Sequence, residues 1–176
     1  MRRFLVLFTT LAACASLWTL PAAAAPSSCG VTWGSLDKSS ANYSTATVGA
    51  VRSGRHDCFD RLVIDLSGPL AGYRVGYVDT VTMDGSGATV PLRGGAYLQV
   101  MVQAPAYDGA GNSTYRPADR TELVDVRGYP TFRQASWAGS FEGQTTLGLG
   151  VRARLPFRVT TLDGPARVVI DVAHAW

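Results

Sequence analysis

Lysine is almost missing from this sequence: Lys38 stands alone, and the other 15 basic residues are arginine. Metal-binding side chains are scarce too. There are two histidines, His56 and His174, and three cysteines, Cys14, Cys29 and Cys58. Their spacing fits no zinc site. No GxSxG elbow, HExxH pair or phosphate-binding glycine loop occurs, so neither a metal nor a cofactor is expected. After the N-terminal segment no apolar run approaches the roughly 20 residues of a transmembrane helix, which excludes a helical span in the mature form. Charge of one sign is also lacking. With Arg2 and Arg3 set aside, 14 basic residues face 13 acidic ones. That balance gives no electrostatic case for nucleic acid or an anionic membrane. Nine prolines and nineteen glycines without a period exclude collagen and point to many turns.

What is present begins with an export signature. Met1-Arg2-Arg3 is a positive start, Phe4–Leu20 is largely apolar, and Pro21–Ala25 supplies small residues for cleavage, so residues 1–25 read as a signal peptide. Leu11-Ala12-Ala13-Cys14 resembles a lipobox. The apolar stretch before it is short, and Leu17, Trp18 and Leu20 follow where a polar tether is usual, so release without lipid at Cys14 is the favoured reading. Cys29 and Cys58 then remain, and two cysteines in an oxidising compartment are expected to pair. The bridge would pin an N-terminal arm, residues 26–46 with Trp33, onto the first strand of a β domain spanning 47–176.

Within that domain the apolar period is two. In Leu155–Val172, Phe157, Val159 and Thr161 alternate with Arg158, Thr160 and Leu162; after Asp163-Gly164-Pro165, Val168, Ile170 and Val172 alternate with Arg167, Val169 and Asp171. This is a strand, a turn and a strand. Arg61-Leu62-Val63-Ile64-Asp65-Leu66 repeats the design of Arg167–Val172. In both copies the aliphatic triplet is predicted to face the core, with Arg61, Asp65, Arg167 and Asp171 on a solvated face. Further strands are predicted at Val48–Arg52, Tyr73–Tyr77, Tyr97–Val102, Glu122–Val126, Thr131–Trp137 and Thr145–Arg152, with a helical turn conceivable at Ala118–Leu123. The fold class is all-β, an antiparallel sandwich or small barrel-like double sheet.

The closing hairpin FRV…LDGPARVVIDV and the upstream DRLVIDLSGPLAGYRVGYV resemble the AMIN domain. Asp57-Cys58-Phe59-Asp60-Arg61 and Phe141-Glu142-Gly143…Leu147-Gly148-Leu149-Gly150-Val151-Arg152 resemble, more narrowly, secreted AMIN-like proteins of high-GC bacteria. The resemblance runs from about Val48 to Val172. It implies two packed antiparallel sheets, and a secreted, non-catalytic module that binds peptidoglycan or localises cell-envelope proteins. The zinc amidase domain that often accompanies an AMIN domain is not expected after Trp176.

Candidate chemistry is sparse. A Cys58/His56 dyad is weakened by the expected disulfide. Glu142 in its glycine-rich run reads as a turn residue, although a hydrolase pairing it with Asp57 or Asp60 is one alternative. A protein-interaction module using an exposed sheet edge is another. Asp108-Gly109-Ala110-Gly111-Asn112 resembles a cation loop but lacks the further acidic ligands of a calcium site, so a turn-rich loop is expected. The aromatics Tyr107, Tyr115, Tyr129, Phe132 and Trp137 interleave with Arg116, Arg120, Arg127 and Arg133. Rings stack on sugars and guanidinium groups hold carboxylates. Tyr115, Arg116, Tyr129, Arg133 and Trp137 are therefore the candidate ligand-binding residues, with cell-wall glycan as the expected partner.

Overall fold

The computed structural model describes residues 29–176; the expected signal peptide and Cys14 lie outside the described residues. Nine strands form two antiparallel sheets, and no helix occurs among the described residues. They are β1 (Lys38–Ser40), β2 (Thr47–Arg55), β3 (Phe59–Ser67), β4 (Tyr73–Val78), β5 (Ala96–Val102), β6 (Phe132–Phe141), β7 (Gln144–Val151), β8 (Phe157–Leu162) and β9 (Arg167–Ala173). The five-stranded sheet has the order β1-β4-β5-β7-β6 and the four-stranded sheet the order β2-β3-β9-β8. The double sheet is a sandwich and not a closed barrel.

The two copies of the repeated strand are neighbours. β3 pairs with β9 so that Leu62 lies opposite Ile170, Ile64 opposite Val168 and Arg61 opposite Asp171. Leu62, Ile64, Val168, Ile170 and Val172 are all buried in the main core, as the alternation predicts. From the other sheet Val75, Leu98, Val100, Leu147 and Leu149 meet them. One buried carboxylate clips the sheets together. Asp60, at the start of β3, accepts the N–H groups of Thr131 and Phe132 at 2.7 and 2.9 Å, where β6 begins. Its other oxygen lies 3.0 Å from His174 Nε2.

The Leu147-Gly148-Leu149-Gly150 run has a double use. Leu147 and Leu149 enter the core, while Gly148 and Gly150 face the segment between β4 and β5. That segment, residues 79–95, folds back over the sheet and buries Val81 and Val90 against Ala138 in a second small core. A Cβ on Gly150 would stand well inside contact distance of the Arg93 carbonyl oxygen, and one on Gly148 would lie 2.8 Å from Leu92 Cδ1. Glycine is required here by close approach, not by a turn.

Four expectations need correction. Glu122–Val126 is not a strand. Asp119 accepts hydrogen bonds from the N–H groups of Thr121 and Glu122, and Asp125 folds back on Arg127; these local bonds bend the chain out of a ladder. The same Asp119 turn replaces a helical turn at 118–123. The segment still closes the outer edge of β6, because Trp137 N–H donates to the Arg120 carbonyl and Leu123 N–H to that of Ala135.

The third correction concerns Asp171. It lies on the face opposite Ile170, as predicted, but it is only 1% exposed. Arg61 grips it through two bonds, at 2.6 and 2.9 Å, and Arg158 adds another at 2.9 Å. The N-terminal arm covers this face: Trp33 packs edge-on to Phe59, and the Arg158 guanidinium stacks 4.3 Å above the Trp33 ring. The arm is fastened by a Cys29–Cys58 disulfide with Cα atoms 5.5 Å apart. Trp33 therefore rests on β3 and β8 and not on β2. Gly34 then accepts the Phe157 N–H at the edge of β8, and the arm crosses to the other sheet as β1.

Candidate functional site

β6 is an edge strand with an irregularity where it matters. Its register against β7 shifts between Trp137 and Gly139, leaving Ala138 without a ladder partner. The Ala138 carbonyl instead accepts the Asp84 N–H at 2.9 Å, which ties the 79–95 segment to β6. A bulge of this kind re-aims the neighbouring side chain. Trp137 accordingly stands between two depressions, with the Tyr115 ring 5.7 Å away.

The larger depression, about 790 Å³, is lined by Trp137, Tyr115, Tyr107, Phe141, Arg116, Arg120 and Asp84 among others. Among the described residues, Arg116 and Arg120 are the two arginines whose guanidinium groups make no hydrogen bond or ion pair with the protein. The other arginines are bound to carboxylates, as at Arg52, Arg74 and Arg93, or to backbone carbonyls, as at Arg55, Arg152, Arg154 and Arg167. Burial pushes the Tyr115 hydroxyl above its ordinary value, so Tyr115 is a neutral donor and a ring platform. Burial also pushes the Asp84 carboxyl up, and the nearby Thr146 hydroxyl draws it part of the way back. Neither Asp84 Oδ2 nor Thr146 Oγ1 has a partner at hydrogen-bonding distance.

Three of the five candidate residues, Tyr115, Arg116 and Trp137, thus meet in one groove. Tyr129 and Arg133 do not join them. They line a separate depression with Arg93, Glu122 and Arg127. There Arg133 donates to the carbonyls of Tyr129, Pro130 and Phe132, and the Tyr129 hydroxyl meets Ser53 Oγ at 3.1 Å. Both are occupied in holding their own loop against the domain. The residues that sequence reading did not place in the site are Asp84, Tyr107, Phe141 and Arg120. Tyr107 and Arg120 were visible as members of the aromatic–arginine run; Asp84 and Phe141 arrive only through the fold.

The remaining candidates resolve into structure. Asp108 accepts from the N–H groups of Ala110 and Asn112 and from the Asn112 amide, which holds its carboxyl below the usual range, chiefly through the Asn112 side chain. Its oxygens serve the turn. Cys58 is disulfide-bonded, and His56 stacks on Phe59 with ring centroids 4.5 Å apart. Glu142 occupies the β6–β7 turn at φ 48°. Asp60 binds the first residue of β6 while Glu142 follows the last, about 30 Å away by strand rise. Paired glycosidase carboxylates stand within about 10 Å of each other, so Glu142 does not work with Asp60, nor with Asp57 three residues before it.

A family model described as the AMIN-like domain matches residues 46–174. The chain belongs to the AMIN-like domain family. No curated protein matches it, and no solved structure does. The match to the AMIN-like domain takes in both sheets from β2 onward, the β6 strand and Asp60; the Cys29–Cys58 disulfide, which ties the preceding arm to it, fits an oxidising, extracytoplasmic setting.

Proposed function

We propose that this AMIN-like domain is a secreted, non-catalytic binding module for peptidoglycan, and that the glycan lies in the groove beside β6. One observation carries the reading: two arginines without an ion-pair partner line the same open groove as the adjacent, mutually tilted Tyr115 and Trp137 rings. Folding gains nothing from leaving Arg116 and Arg120 unpaired. A ligand that offers sugar faces to the rings and carboxylates to the guanidinium groups satisfies both. The family relationship supports a wall-associated role. Strand addition at a sheet edge is less favoured because two edges are already engaged. β6 is covered by residues 120–123, and Val48 of β2 donates to the Pro105 carbonyl.

The test is co-sedimentation of the disulfide-bonded protein with purified sacculi, comparing wild type with Trp137→Ala. Wild type is expected in the pellet, and the variant, checked by thermal melting to be folded, is expected to lose at least about tenfold in affinity, the equivalent of one lost stacking contact. A folded variant that sediments like wild type removes the groove from the account.

A further inference from the structure

We infer that the groove holds the interior of an extended glycan strand carrying carboxylate side branches, and needs no strand end. This rests on the peptidoglycan reading and specifies its ligand. The depressions along β6 are neighbours that share lining residues. The first, about 490 Å³, is bounded by Gln134, Ser136 and Trp137 on β6. The second, about 790 Å³, continues from Trp137 through Gly139, Ser140 and Phe141. The third, about 700 Å³, takes in Glu142, Gly143 and Gln144 at the turn. Trp137 borders the first and second, and Tyr107 borders the second and third. From Gln134 to Phe141 alone the strand rises roughly 24 Å, which is several sugar rings long.

The exposed rings follow the same path. Phe141 is 49% exposed and Tyr43 is 94% exposed, two of the few large apolar side chains so open to solvent. Phe141 lines the second depression and Tyr43 the third. Uncovered rings spaced along a channel are platforms for successive sugars. Arg116 and Arg120 stand in the middle depression, with room for chain on both sides. A site for a terminal sugar would close on one side of its charged anchor; this one shares wall residues with an open neighbour at each end, Trp137 on one side and Tyr107 on the other. The cations at mid-channel are placed for carboxylates that branch from the strand, not for a charge at its end.

The experiment is titration calorimetry of the disulfide-bonded protein with soluble glycan strands. The strands keep their stem peptides, are stripped of phosphate polymers, and are fractionated into one, two and four disaccharide units. Affinity is expected to rise about tenfold or more from one unit to four, as added rings find added platforms, and then to level off. Converting the strands' carboxylates to neutral amides should weaken wild type about a hundredfold and leave an Arg116→Ala/Arg120→Ala variant unchanged. Equal affinity for one unit and four overturns the extended-strand assignment, and full affinity for strands with amidated carboxylates overturns the carboxylate assignment. Binding only to strands that retain phosphate polymer overturns the carboxylate assignment. In each of these cases sacculus binding by wild type would leave the broader reading standing. Failure to bind sacculi at all would remove both.

Discussion

Two clusters of arginine and aromatic rings sit on this domain, and they differ in one respect. On the outer face of the four-stranded sheet, Arg61 and Arg158 converge on the buried Asp171 carboxylate over the rings of Phe59 and Trp33. Beside β6, Arg116 and Arg120 share a groove with Trp137, Tyr115 and Asp84, and neither forms an ion pair. Composition does not separate the two. Pairing does: in the first cluster the guanidinium groups neutralise a charge that burial would otherwise make costly, so they belong to the fold. In the second they remain available, which is why we assign them to a ligand.

The comparison can be broken by stability measurements. Ile170→Ala, in the packed core behind Asp171, should cost about 2–5 kcal/mol in chemical denaturation and sets the upper mark. Cys58→Ser releases the arm that covers the paired cluster, and the chain-entropy model for a 29-residue separation gives roughly 3–4 kcal/mol. Asp171→Ala strands two arginines, which are 29% and 41% exposed. Their partial exposure lowers the penalty for a broken buried pair to about 2–3 kcal/mol. A loss below about 0.5 kcal/mol would mean the cluster is no clamp. Arg116→Ala and Arg120→Ala should each shift stability by no more than about 0.5 kcal/mol, the usual range for surface changes.

The smallest effect concerns Asp84. Its carboxyl is raised by burial, so the folded protein holds this proton more tightly than the unfolded chain. Its contribution is full below the ordinary carboxyl range and is lost as pH rises through the raised value. Asp84→Asn cannot titrate, so its stability relative to wild type should improve as pH climbs from 3 to 7. A difference independent of pH would show that Asp84 is not held against its charge.

The period-two pattern was enough to name the core residues. Leu62, Ile64, Val168 and Ile170 alternate strictly, and burial follows alternation. What the pattern cannot state is what lies over the opposite face. Asp171 reads as solvated because nothing near it in sequence covers it; the cover comes from Trp33, brought by a disulfide. β1, Lys38–Ser40, has no apolar residue at all and is a strand only because it pairs with β4. Glu122–Val126 has strand-like residues, and the Asp119 and Asp125 turns override them. In the groove, Tyr115, Arg116 and Trp137 were legible as types. That they meet depends on the bulge at Ala138, and that Tyr129 and Arg133 stand apart depends on bonds within their own loop.

The most direct test of the central claim is sacculus binding by the Arg116→Ala/Arg120→Ala variant, measured beside its melting temperature. The account predicts a melting temperature close to wild type and a loss of about a hundredfold or more in affinity, as two charge-assisted contacts disappear. A variant that melts like wild type and binds sacculi with wild-type affinity would contradict it.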